Sequence, residues 1–145
     1  MAIGVMAIAN NLAFQGQEAA YTTTSTTLVF TGTGVILTPK TSGTVRLVLD
    51  ALVSDNTAAV SVNLNINYEA GTALVAAGGA VAGTAVMAAA VAYESVLANA
   101  VNHAHIEYQV TGLTLNTSYI FEPVFDGSAA GTASFTQIDM WAEEI

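Results

Sequence analysis

From Leu28 onward, apolar and polar residues alternate along most of the chain, the two-residue period of half-buried strands. Val60, Val62, Leu64, Ile66 and Tyr68 share one face, and Ser61, Asn63, Asn65, Asn67 and Glu69 the other. Val45, Leu47, Leu49, Ala51 and Val53 alternate with a mixed set, Thr44, Arg46, Val48, Asp50 and Leu52, so this strand is expected to touch something on both faces. Asp55-Asn56-Thr57 between the two runs is turn chemistry and predicts that they pair as a hairpin. Downstream, Ile106, Tyr108 and Val110 alternate with His105, Glu107 and Gln109, and Tyr119, Phe121 and Phe125 lie opposite Glu122, Val124 and Asp126. Pro123 lacks an N–H, which predicts an edge strand or a bulge there. In the last run, from Thr132 to Ile145, strict alternation puts Phe135 and Trp141 on one face and Ile138 and Met140 on the other, a strand between core and neighbour.

Short strands are also expected near Leu28 to Thr31, near Val35 to Leu37, and once or twice between Thr84 and Leu97. The total is about eight, and the pattern reads as an all-β chain folded into an antiparallel β-sandwich. Residues 84–101 stay open between strand and helix. Their alanines favour helix, whereas Val91, Tyr93, Ser95 and Val96 favour strand. Before Thr27 the alternation is absent and Tyr21 to Thr27 is nearly all Thr and Ser, so residues 1–26 read as an extended N-terminal arm and residues 27–145 as the sandwich domain. Ile3, Val5, Met6, Ile8, Leu12 and Phe14 are the arm's apolar contacts, expected to bury against a neighbour and to be needed for docking rather than folding. A short helix on the domain's own core is the alternative.

Composition sharpens this picture. Only 9% of the 145 residues are charged, against about 25% in an ordinary soluble domain. Lys40 and Arg46 are the only cations beside eleven carboxylates, for a net charge of −9. Two cations release too few counterions for non-specific binding to nucleic acid or an anionic membrane. With no cysteine, disulfide and thiol chemistry are excluded. The apolar start lacks the basic residues of a secretory signal. Ala70 to Tyr93 is uncharged but built of Ala and Gly, so it reads as a soluble segment and not a membrane helix. A surface so poor in charge suits a chain packed against copies of itself or a partner.

Candidate chemistry is sparse. No nucleophile elbow, phosphate-binding loop or His-Glu-x-x-His motif occurs, and Gly32-Thr33-Gly34 is a turn, not a dinucleotide fingerprint. No pair of carboxylates is singled out for glycoside hydrolysis. His103, His105 and Glu107 stand at period two, so one strand face presents all three. They are the candidate metal ligands, with a histidine-bearing interface and a plain solvated face as the other readings. Asn116-Thr117-Ser118 fits a turn as well as a glycosylation acceptor, and Glu143-Glu144 reads as a solvated end. No catalytic set and no cofactor are expected.

Thr111-Gly-Leu-Thr-Leu-Asn-Thr-Ser-Tyr119 resembles the corner of fibronectin type III and related sandwiches, where a Tyr hydroxyl bonds back to the chain; the early Trp of that family is missing. A broader resemblance runs through Gly43-Thr-Val-Arg-Leu47, Ser61-Val-Asn-Leu-Asn-Ile66, the Ala/Gly/Val/Thr-rich middle, Val110-Thr-Gly-Leu-Thr114 and Gly131-Thr-Ala-Ser-Phe135. In strand order and style it is similar to the small jelly-roll decoration (cement) proteins of tailed-bacteriophage capsids, and to the trimeric heads of phage fibres. The resemblance implies a jelly-roll-like sandwich and a homotrimer seated on the outer capsid surface. Its partner would be the major capsid protein, and its role non-enzymatic stabilisation of the shell. The oligomer interface is expected at Ile138, Met140 and Trp141. A receptor- or glycan-binding fibre head is the alternative.

Overall fold

The computed structural model describes residues 11–17, 20–129 and 131–145. Among them are eleven strands: β1 (Leu12–Gln17), β2 (Tyr21–Thr23), β3 (Val29–Phe30), β4 (Val35–Leu37), β5 (Val45–Asp55), β6 (Val60–Ala70), β7 (Thr84–Ala85), β8 (Val91–Ser95), β9 (Asn102–Val110), β10 (Tyr119–Gly127) and β11 (Ala133–Glu144). β1 and β2 both run along β11, β3 and β4 along β10, and β7 and β8 along β6, so the segments trace eight paths. The first sheet has the order β1/β2, β11, β5, β9, and the second β3/β4, β10, β6, β7/β8, with every pairing antiparallel. First path therefore pairs with last, second with seventh, third with sixth and fourth with fifth. A long hairpin rolled up in this way is a jelly roll. The alanine-rich residues 84–101 contain β7 and β8 and no helix; β-branched and aromatic packing outweighs local helix propensity.

The core lies between the sheets. Leu47, Leu49, Phe135, Ile138 and Met140 from the first meet Leu64, Ile66, Phe121 and Phe125 from the second, all fully buried. Phe125 and Phe135 stack across the gap with ring centroids 5.5 Å apart. Each such side chain contributes about 1.5–3 kcal/mol of burial.

Four expectations are corrected. β5 and β6 do not pair as a hairpin. They belong to different sheets, and the turn between them, where Asp55 Oδ1 accepts the Thr57 N–H at 2.8 Å, carries the chain across the core. Both strands already have partners on each edge and turn their valine and leucine faces toward each other. Pro123 lies in a central strand, not an edge. Its carbonyl accepts the Thr31 N–H at 3.2 Å, so its missing N–H points the same way, into the break between β3 and β4. Leu12–Gln17 and Tyr21–Thr23, expected in the arm, pair with β11 as part of the first sheet. Ile3, Val5, Met6 and Ile8 lie outside the described residues.

The fourth correction is Glu144, which is buried, not solvated. Its carboxylate accepts the backbone N–H groups of Lys40, Thr41, Ser42 and Gly43 at 2.7–3.3 Å. Burial pushes the carboxyl up, but these donors outweigh it and hold the pKa at about 2. The end of β11 is thereby clasped by the turn leading into β5. At the expected corner, the Tyr119 hydroxyl accepts the Thr114 N–H at 3.0 Å.

Residues 71–90 form a strap over the outer face of the second sheet. Asn67 Nδ2 donates to the Ala82 carbonyl at 3.0 Å, Asn65 bonds both backbone groups of Met87, and the Val75 N–H donates to Glu122 Oε1 at 2.8 Å. Asn65, Asn67 and Glu122, on the face that alternation assigns to solvent, are consequently buried. The strap's glycines permit the close approach. A Cβ at Gly83, where φ is +78°, would lie 2.6 Å from the Tyr68 carbonyl oxygen. Burial raises the Glu122 carboxyl to about 7, opposed by the Val75 N–H and reinforced by the charge of Glu69. Burial also raises Asp126, against its hydrogen bond from Asn63.

Candidate interaction surface

Among the described residues, no strap covers the outer face of the first sheet. Its side chains come from alternate positions of β1, β11, β5 and β9, and the pairing registers set them in cross-strand rows. One row reads Phe14, Trp141, Val48, Glu107; the next toward the chain termini reads Leu12, Glu143, Arg46, Gln109; on the other side come Gly16, Asp139, Asp50, His105. The face thus grades from apolar on β1 and β11 to charged on β5 and β9.

A bulge in β11 decides what reaches this face. Register shifts between Thr136 and Asp139, and Gln137 adopts φ 48°. The extra residue reverses the alternation, so Phe135, Ile138 and Met140 all point into the core. Ile138 and Met140, expected at an oligomer interface, are fully buried within the single chain, and Trp141 is the one of the three that faces outward. Beside it Leu12 is 60% and Phe14 64% exposed, and with Glu143 these residues line a groove of about 420 Å³. Val48, on the same face, is buried, in keeping with the contact on both faces expected of β5.

His103, His105 and Glu107 do share the outward face of β9, as their spacing predicts. They do not converge on one centre. Glu107 accepts from Arg46 Nε at 2.8 Å, an exposed pair worth under about 1 kcal/mol. Both histidines instead approach Asp50, His105 Nδ1 at 2.7 Å and His103 Nε2 at 3.4 Å from Oδ1. Among the described residues no group of three His, Cys, Asp or Glu side chains is placed to hold a metal ion. Asp50 was hidden from sequence reasoning because only the β5–β9 register sets it opposite His105.

A second apolar feature, with no periodic signal to announce it, is the β8–β9 loop. Val96, Leu97 and Val101 are exposed there, on a turn held by the Asn99 N–H to the Asp55 carbonyl at 2.7 Å. Among the described residues, no helix is long and apolar enough to cross a membrane.

No protein-family model matches the chain, and no curated protein matches it. Among solved structures, it is similar to the crystal structure of the infectious bursal disease virus VP2 subviral particle, with 14% identity and a TM-score of 0.46 over 99% of this chain and 41% of that one. It is likewise similar to the structure of the Gx strain of the same virus, at 15% identity and a TM-score of 0.46, again over 99% of this chain and 41% of that one. The chain spans about two fifths of the length of both neighbours.

Proposed function

We propose that this chain is a non-enzymatic structural protein of a virus particle, a decoration or cement protein that binds the outer capsid surface as a homo-oligomer, most simply a trimer, and staples shell subunits together. The observation that carries the reading is the part-apolar outer face of the first sheet, over which the described residues place no strap, with Leu12 and Phe14 of the edge strand exposed beside Trp141 of β11. A chain carrying only two cations and 9% charged residues has little else to keep such a face in water, and burial against a partner removes it. Repetition over many copies makes modest contacts additive.

A second reading, a receptor- or glycan-binding fibre head, is favoured by the exposed Val96, Leu97 and Val101 at one loop tip. Sedimentation separates the two. The purified chain is expected to run as an oligomer and to co-sediment with empty shells of candidate phage capsid proteins up to a saturating ratio. A monomer at micromolar concentration that ignores shells but binds a glycan or receptor would replace the first reading with the second.

A further inference from the structure

We propose that the groove formed by Leu12, Phe14, Trp141 and Glu143 receives residues 1–10 of a second copy of this chain, so that copies interlock by exchanging N-terminal segments. This names the partner surface for the oligomeric part of the reading above, and rests on that part alone.

The first argument is where the segment leaves the fold. Asn11 is pinned at the corner between the sheets: its carbonyl accepts the Glu144 N–H at 2.9 Å, and its side-chain amide donates to the Thr38 carbonyl. The groove residues Leu12 and Phe14 follow this anchor, whereas residues 1–10 precede it. To reach Phe14 and Trp141 of its own chain, the segment would have to reverse at the anchored residue. Extended, ten residues reach about 33 Å, roughly the width of a domain of this size, enough to cross onto a neighbour's sheet.

The second argument is chemical. Residues 1–10, Met-Ala-Ile-Gly-Val-Met-Ala-Ile-Ala-Asn, contain no charged side chain, and Ile3, Val5, Met6 and Ile8 supply apolar groups for an apolar groove. Each copy carries a net charge of −9, and a segment with no carboxylate adds no further like charge beside Glu143 in the groove. The third argument is the edge. β1 is the end strand of its sheet, and among the described residues its outer edge pairs with no other strand. An incoming extended segment can take main-chain hydrogen bonds there while its side chains enter the groove. The opposite end strand, β9, presents His103, His105, Glu107 and Gln109 outward and suits an apolar segment poorly.

The absence of cysteine makes the test direct. Single variants Ile3→Cys, Val5→Cys and Ile8→Cys of the full chain are each mixed with Leu12→Cys and mildly oxidised. Docking places the thiols at millimolar effective concentration, so at least one pair is expected to give cross-linked dimers about tenfold above the same arm variants mixed with Gln109→Cys. Leu12 is exposed, so its replacement leaves the fold intact. Equal yields for the two acceptor positions overturn the proposal. So does a double variant, such as Val5→Cys with Leu12→Cys, that closes its disulfide within one chain. Shell binding is scored separately: cross-linking without shell binding leaves the exchange standing and removes the capsid role, and the converse removes only the exchange.

Discussion

The two sheets treat their outer faces in opposite ways. The second sheet carries Asn65, Asn67, Glu122 and Asp126 outward, groups suited to water, yet all four are buried. The strap at residues 71–90 supplies partners for the first three, and Asn63 for Asp126. On the first sheet the outward groups include Leu12, Phe14 and Trp141, and Leu12 and Phe14 remain open. Where the chain covers a face itself, that face is polar and each of these four side chains makes a hydrogen bond, while Asn67 Oδ1 is buried with no partner among the described residues. Where the described residues leave a face without a strap, it is part apolar. Polar groups can be buried only by a cover whose backbone is held in register, which a chain's own strap provides. Apolar groups accept any complementary surface, including another molecule's.

The sharpest way to break the contrast is to lift the strap. Gly83→Val puts a β-branched side chain at φ +78° and its Cβ against the Tyr68 carbonyl. Strain and overpacking together cost about 4 kcal/mol. Chemical denaturation should show that loss, with residues 71–90 becoming the first site of limited proteolysis. A variant as stable as the parent would mean that the strap contributes nothing to folding.

A smaller effect is titratable. Because Glu122 is raised from 4.5 to about 7 in the fold, its contribution to stability is full below pH 4.5 and is lost as pH rises through about 7. The loss by pH 8 is at most about 3 kcal/mol. Glu122→Gln keeps an oxygen for the Val75 N–H but cannot ionise, so its unfolding curves from pH 5 to 8 should be flatter than the parent's. Glu144 works the other way, holding its contribution above pH 4.5 and losing it only as pH falls toward 2. Parallel curves for parent and Glu122→Gln would assign the pH response to other groups.

The smallest effect on folding belongs to the bare face. Phe14→Ser removes an exposed ring and should change unfolding stability by no more than about 0.5 kcal/mol. Its consequence is expected in mass instead: analytical ultracentrifugation should show a smaller species than the parent at the same concentration. An unchanged mass would leave the face without a role in assembly.

Much of the fold was legible in the residues. The runs at 45–53, 60–69 and 106–110 are strands with the apolar face inward, except that Tyr108 is exposed, and the Tyr119 hydroxyl bonds back to the chain at the expected corner. The site was legible only in part. Leu12, Phe14 and Trp141 were singled out and do lie together, but Ile138 and Met140 belong to the core. One residue of bulge at Gln137, which no local propensity announces, reverses which side chains a strand shows.

Alternation, turn residues and charge are properties of neighbours along the chain. By themselves they determined that this protein is a low-charge, all-β sandwich with inward valine, leucine and phenylalanine faces. Strand pairing is a contact between residues far apart in sequence. Only the tertiary structure decided that β5 and β6 face each other across the core, that Pro123 meets a gap in its neighbour, that Asp50 lies between His103 and His105, and that residues 71–90 strap one sheet while no described segment straps the other. The physical reason is that a strand's period specifies which side chains share a face, while the partner of each edge and face is chosen by the packing of the whole chain.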